Sequence, residues 1–388
     1  MNLNLRLLHL VPSLLMLSAL SACSTLSSLN PFSKPDTKNM PAVLQDFTAS
    51  MHVKQKWMQN IGSAGEYVFV PAVVGQDIYV ASQDGSVLKL AAQTGQVQWR
   101  IKASLPLTAG VGANAKAVVV AGQKGKIFVY DTQGRLSWEV QASSEILSTP
   151  AVSDELVLVH SIDNRITAYK LSNGERQWTV ERPLPVLTLR IVTGISLKDQ
   201  VAVISSPGGK LFALALQNGG MRWEASAADP KGSTELERIV DMAGAPAIVG
   251  NNACAVTYQG RVACFDLETG STRWAKNISS EVGVAADERF VFAADNQGGL
   301  FAYAMSGGAS AWKNDQLSFR QLSTPTSFGR AVVLGDGFGY VHFVSREDGA
   351  FLARLATDGG KIMSAPLVLG NDLIVQTKTG AVVAIATE

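Results

Sequence analysis

The chain has 388 residues, of which 47% are hydrophobic, and a formal net charge of +1. This is the composition of an ordinary folded protein, and the near-neutral charge gives no electrostatic reason to expect a nucleic-acid partner. The chain is long for one domain built on one core, so we expect an architecture in which each segment adds its own layer of core.

The first 22 residues have the pattern of an export signal. Arg6 is followed by an apolar run from Leu7 to Leu20, which is too short to span a bilayer comfortably. The run ends at Leu20-Ser21-Ala22-Cys23, which resembles the bacterial lipobox. We therefore predict that residues 1–22 are a lipoprotein signal peptide and that Cys23 carries the lipid. A plain secretory signal that happens to meet a cysteine is the alternative.

Residues 23–50 are predicted to be a lipidated N-terminus followed by a flexible tether. Ser, Pro, Asn and Lys dominate this stretch as far as Asn39, with little apolar periodicity. Ser24, directly after the predicted lipid-bearing cysteine, resembles the residue found in lipoproteins sorted to the outer membrane. The expected location is therefore the periplasmic face of the outer membrane.

One stretch, Gly85–Trp99, returns along the rest of the chain with the same spacing of apolar residues, turn glycine and tryptophan. A period near forty residues, made of short alternating strands and glycine turns, is typical of a β-propeller with one four-stranded blade per repeat. The copies predict an all-β fold of eight antiparallel blades over residues 51–388. The later copies begin at Gly125, Asn164, Gly209, Gly260, Gly298, Gly339 and Gly380.

The eighth copy is divided between the two ends of the chain. It opens at Gly380, close to the C-terminus, and the tryptophan that it lacks is Trp57. We therefore expect Met51–Trp57 to be the outer strand of the C-terminal blade, which closes the ring. The recurrent tryptophan is expected to wedge between neighbouring blades. The glycine before each last strand, such as Gly95, is expected to adopt a positive φ.

Two consecutive intervals are longer than the rest. Asn164 and Gly209 are 45 residues apart and Gly209 and Gly260 are 51 apart, whereas the other intervals are 38 to 41 residues. The extra residues fall around Arg182–Val192 and Ala228–Met242, between the outer strand of one blade and the inner strand of the next. Connections of this type emerge on one face of a propeller, so we predict a single binding surface there.

The two insertions supply the candidate binding residues. Leu187, Leu189 and Arg190 lie in a loop bracketed by prolines, which is the composition of an interaction hot spot. The alternative is that the leucines fold inward and cover the end of a blade. The second insertion contributes Arg238 and Asp241, which as a local salt bridge would contribute little.

Two cysteines remain in the predicted folded part. Cys254 and Cys264 flank a predicted hairpin turn, and a turn centred on Gln259 sets them directly opposite, where a disulfide is possible. A two-residue loop at Gln259-Gly260 would instead pair Cys254 with Phe265. The sequence does not distinguish these registers.

Catalytic and metal-binding signals are absent from the sequence pattern. His52, His160 and His342 are isolated on predicted strands, so we assign them structural roles. No Ser-His-Asp order, phosphate-binding glycine loop or paired-carboxylate motif stands out. We therefore assign no catalytic, cofactor or metal residue.

The repeat resembles that of the quinoprotein dehydrogenases, which hold pyrroloquinoline quinone (PQQ). Those enzymes are usually longer, bind Ca²⁺ beside the quinone and often carry a pair of adjacent cysteines over it. Here Cys254 and Cys264 are not adjacent, and we assign no Ca²⁺ ligand set. A periplasmic PQQ-dependent dehydrogenase is the alternative function, and a carbohydrate-binding propeller is a third class.

The lipobox, the tether, the eight repeats and the Pro-Val-Leu-Thr-Leu-Arg loop together resemble the BamB family of outer-membrane protein assembly factors. That resemblance implies a non-enzymatic scaffold lipoprotein of the β-barrel assembly (BAM) complex. Such a protein binds the POTRA domains of BamA, the central barrel protein, and assists the insertion of β-barrel substrates into the outer membrane.

The resemblance also implies contact residues. The family contacts BamA with a Leu-Ser-Leu-Arg stretch, which residues 187–190 match as Leu-Thr-Leu-Arg. A second family contact is a pair of acidic residues separated by one position. Asp241 matches the first of them, and Ala243 stands in place of the second.

Overall fold

Short runs of β-branched and aromatic residues, separated by glycine and aspartate turns, build the whole fold. A computed structural model of the chain describes residues 39–387. Within that range, 32 strands form eight separate four-stranded antiparallel sheets, which are the blades of a β-propeller. The predicted all-β, eight-bladed architecture is therefore confirmed. No helix among these residues is long and apolar enough to cross a membrane.

The strands are numbered here in chain order. The first eight are β1 Val53–Asn60, β2 Ala72–Val74, β3 Asp77–Ala81, β4 Ser86–Ala91, β5 Val97–Lys102, β6 Leu107–Ala113, β7 Ala117–Gly122 and β8 Lys126–Asp131. The next are β9 Leu136–Gln141, β10 Ala151–Val152, β11 Leu156–His160, β12 Arg165–Lys170, β13 Arg176–Glu181, β14 Ile195–Lys198, β15 Val201–Ser206 and β16 Lys210–Ala215. They are followed by β17 Met221–Ser226, β18 Met242–Val249, β19 Asn252–Thr257, β20 Gly260–Asp266, β21 Thr272–Ile278, β22 Val284–Ala286, β23 Phe290–Ala294 and β24 Leu300–Ala304. The last are β25 Ser310–Asn314, β26 Thr326–Phe328, β27 Ala331–Gly335, β28 Tyr340–Ser345, β29 Phe351–Ala356, β30 Leu367–Leu369, β31 Asp372–Gln376 and β32 Ala381–Thr387.

Blades 1 to 7 each take four consecutive strands, from β2–β5 in blade 1 to β26–β29 in blade 7. The first strand of a blade lines the central channel and the fourth lies at the rim. Blade 8 consists of β30, β31 and β32, with β1 as its outer strand. Strand β1 pairs with β32 from Val53 opposite Thr387 to Asn60 opposite Ala381. The predicted closure of the ring by the N-terminal strand is confirmed.

The hydrophobic core of residues 39–387 is divided into eight clusters, one at each interface between neighbouring blades. Between blades 3 and 4, for example, Leu158 and Ile166 pack with Ile204 and Leu214. Because side chains alternate between the two faces of a strand, each blade contributes to two clusters. A single blade therefore depends on both neighbours for its core.

All seven tryptophans lie in the described part of the chain, and they connect the blades as predicted. Each indole Nε1–H donates a hydrogen bond of 2.7–3.0 Å to a backbone carbonyl of the next blade, so the ring is both packed and hydrogen-bonded at the interface. From Trp57, Trp99, Trp138, Trp178, Trp223, Trp274 and Trp312, the acceptors are the carbonyls of Ala92, Thr132, Leu171, Leu216, Leu267, Met305 and Arg346.

The turn glycine of each repeat has a second role that the sequence did not reveal. Gly270 has the predicted positive φ, at 72°. It also lies flat against the Trp223 ring of the preceding blade, and a Cβ placed on Gly270 would be 2.7 Å from that ring. The glycine is therefore required both by the turn and by the close approach of the indole.

This double requirement predicts a difference between two glycine substitutions. Gly270→Ala is expected to lower the free energy of unfolding by about 2–4 kcal/mol, because it adds a steric conflict to the strain of a positive φ. Gly250→Ala is the matched control: Gly250 also has a positive φ, but a Cβ there would meet nothing within 4 Å. Its expected cost is about 1 kcal/mol. Urea unfolding measures both, and equal losses would contradict the assigned packing role.

The interface between blades 7 and 8 is built differently. Ala353 occupies the tryptophan position of blade 7, and Met51 is buried beside it in the core cluster there. Residues 41–50, which precede Met51, lie within the predicted tether. In the structure they run along blade 7, where Leu44 packs on the core cluster between blades 6 and 7 and Phe47 stacks on Phe351.

The register of blade 5 distinguishes the two possible arrangements of the cysteines. Cys254 on β19 lies directly opposite Cys264 on β20, with 4.0 Å between the Cα atoms, and the two form a disulfide. The turn between the strands is centred on Gln259, which has a positive φ. The disulfide therefore lies within a single blade and does not join different parts of the ring.

Candidate docking surface

Two long connections lie next to each other on one face of the propeller. Loop 3/4, residues 182–194, joins the outer strand of blade 3 to the inner strand of blade 4. Loop 4/5, residues 227–241, makes the same connection from blade 4 to blade 5. We refer to the two together as the docking loops. Their contacts with each other agree with the predicted formation of one surface.

Asp241 joins the docking loops from the inside. Its carboxylate accepts hydrogen bonds from the Leu189 amide at 2.5 Å and from the Gly208 amide at 2.9 Å. Burial raises the pKa of the Asp241 carboxyl, and the two amide hydrogen bonds oppose that rise. The sequence suggested Asp241 as a partner contact, but the residue is only 2% exposed. The geometry instead makes Asp241 a positioning residue for loop 3/4.

Both ends of loop 3/4 are fixed by further hydrogen bonds. At its start, the Asn164 side-chain amide donates to the Pro183 carbonyl at 3.0 Å. At its end, the Gly244 amide donates to the Val192 carbonyl at 2.8 Å, next to a parallel bridge between Thr193 and Gly244. The loop is thus held to blade 3 at one end and to blade 5 at the other.

His160 contacts two of the residues that hold loop 3/4 in place. Its Nε2 donates to the Asn164 side-chain oxygen at 2.9 Å, and its Nδ1 accepts from the Thr193 hydroxyl at 3.2 Å. Burial lowers the pKa of His160, which favours the neutral ring that these two contacts require. These contacts give His160 a structural role, as the sequence predicted.

Apolar side chains project from the tip of loop 3/4. Leu187 is 42% exposed and Val186 is 83% exposed, and Leu184 also faces outward. Leu189 is half-buried. The inward-folding alternative therefore does not describe Leu187. An exposed apolar group on a loop that is hydrogen-bonded at both ends is the form expected of a preorganised contact surface.

Arg190 adds a charge beside these apolar groups. Its side chain is 70% exposed, and its Nη2 lies 2.5 Å from the Glu145 carboxylate. Glu145 belongs to the connection between blades 2 and 3. An exposed ion pair of this kind stabilises the fold little. It does orient the Arg190 guanidinium, and it leaves the other N–H donors of that group free to bind.

Arg238 lies on the exposed part of loop 4/5. The sequence suggested a pair with Asp241, but the charged partner of Arg238 is Glu235, with 3.6 Å between the charged atoms. Both of these side chains are about half exposed, so the pair contributes little to stability. The pairing with Asp241 does not form because the Asp241 carboxylate points inward to two backbone amides.

We call the two hydrogen bonds that Asp241 accepts from the Leu189 and Gly208 amides the clamp, and Asp241→Asn tests it. Asparagine offers one acceptor oxygen in place of two, so either the Leu189 or the Gly208 amide loses its partner. We expect hydrogen exchange of that amide to accelerate at least about tenfold, equivalent to ~1.4 kcal/mol of local stability. Asp229→Asn, at an exposed position of the same loop, is the control. Unchanged protection of both amides would contradict the clamp.

The central channel has a different character from the docking loops. It has a volume of about 660 Å³ and is lined mainly by small and apolar residues of the inner strands. Glu281, Asp295 and Lys361 are the charged residues along its lining. In the part of the chain that the structure describes, no group of three or more His, Cys, Asp or Glu side chains is placed to hold a metal ion.

Sequence reasoning missed three residues that shape the docking surface: Glu145, Asn164 and Gly208. Asn164 carried a usable signal, because it stands where most repeats have glycine and it retains the positive φ of that position, at 59°. Glu145 gave no signal, since it is distant from Arg190 in the chain and its connection has ordinary length. The two meet only because consecutive blades bring their connections together.

Solved structures with the same fold include proteins with different functions. The crystal structure of BamB from Moraxella catarrhalis matches with a TM-score of 0.80 and 24% identity, covering 86% of this chain and all of that one. A quinohemoprotein alcohol dehydrogenase from Comamonas testosteroni matches with a TM-score of 0.69 and 13% identity, covering 86% and 76%. At these identities, both likenesses show the fold alone.

The sequence relatives are more specific. The family model described as outer membrane protein assembly factor BamB matches residues 83–314. The chain is 42% identical to outer membrane protein assembly factor BamB of Burkholderia pseudomallei, over 90% of this chain and 92% of that protein. It is 39% identical to the BamB of Bordetella pertussis, over 95% and 94%. The chain therefore belongs to the BamB family of outer membrane protein assembly factors.

Proposed function

We propose that this chain is a lipid-anchored scaffold of outer-membrane protein assembly that docks on the POTRA domains of BamA through its docking loops. Family membership supports the role in assembly. The observation that carries the docking site is the pair of consecutive long loops, held together by Asp241, that present Leu187 and Arg190 to solvent.

Each site residue has a distinct part in this proposal. Leu187 supplies the apolar anchor, and the half-buried Leu189 adds apolar area while its amide is held by Asp241. Arg190 pairs with a carboxylate or a backbone carbonyl of the partner, and Arg238 contributes at the rim of the contact. A partner surface with an apolar patch flanked by acidic groups fits this arrangement.

The membrane attachment is also part of the proposal. Cys23 and the predicted signal peptide, residues 1–22, lie outside the described residues. We propose that lipid on Cys23 holds the chain at the periplasmic face of the outer membrane, where β-barrel proteins are the substrates of the assembly reaction. The function is that of a binding scaffold without catalysis. The alternative of a PQQ-dependent dehydrogenase rests on fold similarity alone.

The direct test is calorimetric titration of the non-lipidated chain, residues 24–388, with the POTRA segment of BamA from the same organism. We expect saturable binding by the wild type and a loss of at least about tenfold in affinity for Leu187→Ser, because a buried leucine side chain contributes about 1.5–3 kcal/mol. Leu136→Ser is the matched control, since Leu136 is an exposed leucine on the outer strand of blade 2.

The outcomes of this titration separate the parts of the proposal. Absence of binding by the wild type would remove the POTRA domains as the partner. Equal losses for Leu187→Ser and Leu136→Ser would keep the partner but place the contact elsewhere on the ring. A loss confined to Leu187→Ser would support the docking loops as the site.

A further inference from the structure

Ten residues that end two residues short of the first strand form a strap on blade 7. We call residues 41–50 the N-terminal strap. At one end, the Ala42 amide donates to the Ser318 carbonyl at 2.8 Å. At the other, the Ser50 and Met51 amides both donate to the Leu352 carbonyl, at 2.9 and 3.1 Å. The backbone of the strap is thus hydrogen-bonded to the ring at both ends.

Side chains hold the middle of the strap. Leu44 packs on the core cluster between blades 6 and 7. The Phe47 ring stacks on Phe351, with 5.4 Å between the ring centroids and 26° between the planes. The Arg354 guanidinium lies 5.1 Å from the centroid of Phe47, a cation–π contact that adds to the stack.

Two arginines donate hydrogen bonds to strap carbonyls: Arg320 in the connection from blade 6 to blade 7, and Arg354 in blade 7. Arg320 donates to the Ala42 carbonyl at 3.0 Å, and Arg354 donates to the Gln45 carbonyl at 3.2 Å. Arg320 is itself fixed by a buried ion pair with Asp336, at 2.7 Å. Because a guanidinium stays charged at any physiological pH, loss of the strap would leave these donors with fewer partners.

The strap begins on the face that carries the docking loops. Ala42 contacts Ser318, which lies in the connection from β25 to β26. This is the same kind of rim-to-channel connection as loops 3/4 and 4/5, so all three emerge on one face of the ring. The start of the strap is two to three blades further round the ring from the docking loops.

We propose that the N-terminal strap fixes the point at which the membrane tether leaves the ring, and so keeps the docking face turned toward the membrane. The inference rests on the lipid attachment at Cys23 that the proposed function includes. With the strap bound, about 18 residues separate Cys23 from the ring, and a random coil of that length would reach roughly 23 Å on average. Counted to residue 50, the reach would be roughly 29 Å.

The test measures which face of the ring lies nearer the bilayer. The full lipidated chain is purified and bound to vesicles of phosphatidylethanolamine and phosphatidylglycerol that carry an energy-transfer acceptor on the headgroups. A donor dye is attached at Gln297→Cys on the docking face or at Ser306→Cys on the opposite face of the same blade. Both positions are exposed turns. They lie at opposite ends of β24, a five-residue strand, which separates them by about 17 Å.

We expect energy transfer from position 297 to exceed that from position 306 at least about twofold, given this separation and the short linker. In the strap-release variant Leu44→Ser/Phe47→Ala, the ratio should fall toward one. Val43→Ser is the matched control: Val43 directly precedes Leu44 in the strap but is 87% exposed, so its ratio should stay at the wild-type value.

A second variant leaves every strap contact intact, so the test still works if the strap-release variant fails to fold. Insertion of about ten Gly and Ser residues between residues 40 and 41 lengthens the linker alone, so transfer from both labels should fall. Equal transfer from the two faces in the wild type, or an unchanged ratio in a folded strap-release variant, would overturn the inference while leaving the lipid anchor in place. Absence of vesicle binding by the wild type would overturn the lipid anchor and the inference together.

Discussion

Replacing Trp223 by alanine is expected to lower the free energy of unfolding by about 3–5 kcal/mol, the usual cost of removing a buried aromatic side chain. The Trp223 indole is buried between blades 4 and 5 and contacts Gly270. Its Nε1 donates a hydrogen bond to the Leu267 carbonyl at 2.8 Å. The substitution therefore opens a cavity and leaves a carbonyl without its donor. Guanidinium unfolding followed by circular dichroism measures the loss.

The neighbouring residue provides the control for this prediction. Arg222 is exposed on the same strand, and Arg222→Ala is expected to change stability by less than about 0.5 kcal/mol. Because each blade shares its core with two neighbours, we expect Trp223→Ala to lower the stability of the whole ring in one transition. A separate early transition of blades 4 and 5 alone would contradict that cooperativity.

Arg190→Glu is expected to weaken binding to the POTRA segment at least about 30-fold, because breaking one partner of a hydrogen-bonded charge pair at an interface costs about 2–5 kcal/mol. The reversed charge would also lie beside Glu145, so the side chain would be repelled from its present position. Calorimetric titration gives the affinity. The thermal midpoint should hardly change, because the lost ion pair is exposed.

A charge reversal on the opposite face tests whether the loss of affinity depends on the position of Arg190 or only on the net charge. Arg135 is exposed and paired with Asp131 in a turn between the third and fourth strands of blade 2, away from the docking face. Arg135→Glu should leave the affinity within about twofold of the wild type, since its charge lies beyond a Debye length from the contact. Equal weakening by both variants would mean that net charge, rather than the position of Arg190, governs binding.

The architecture was predictable because the repeat carries its own packing information. Gly85–Trp99 and its copies gave the blade count, and the isolated Trp57 gave the closure of the ring. Each tryptophan acts at a fixed place in its blade, so spacing along the chain translates directly into position in space. The lengths of two intervals then placed the docking loops, since extra residues in a closed ring must emerge at a connection.

The interior of the docking surface was not predictable in the same way. The sequence predicts Asp241 as a binding residue, yet its carboxylate faces the Leu189 and Gly208 amides. The Glu145 carboxylate reaches Arg190 from another blade's connection. Repeat spacing defines which loops are neighbours, but the direction of each side chain depends on hydrogen bonds between residues far apart in the chain. Those pairings leave no periodic signal.

The N-terminal strap shows a related limit. Composition separates the polar stretch before Asn39 from the blades, but it does not show that the next ten residues bind to blade 7. That contact depends on Leu44 and Phe47, two apolar residues in a stretch without periodicity, and on Phe351 and Arg354 near the other end of the chain.

The pairing of β1 with β32 also imposes an order on folding. Val53 and Thr387 are opposite each other, so β1, the first of the described strands to be synthesised, must wait for β32, the last of them. Closing a loop of roughly 330 residues costs on the order of 5 kcal/mol in chain entropy, which the other blades reduce by forming first and bringing the ends together. Until β32 has been synthesised, blade 8 lacks a strand and blade 1 lacks a complete neighbour. The open ring is therefore the stage at which two unpaired blade faces are exposed, and a chaperone that shields the incomplete chain would act there.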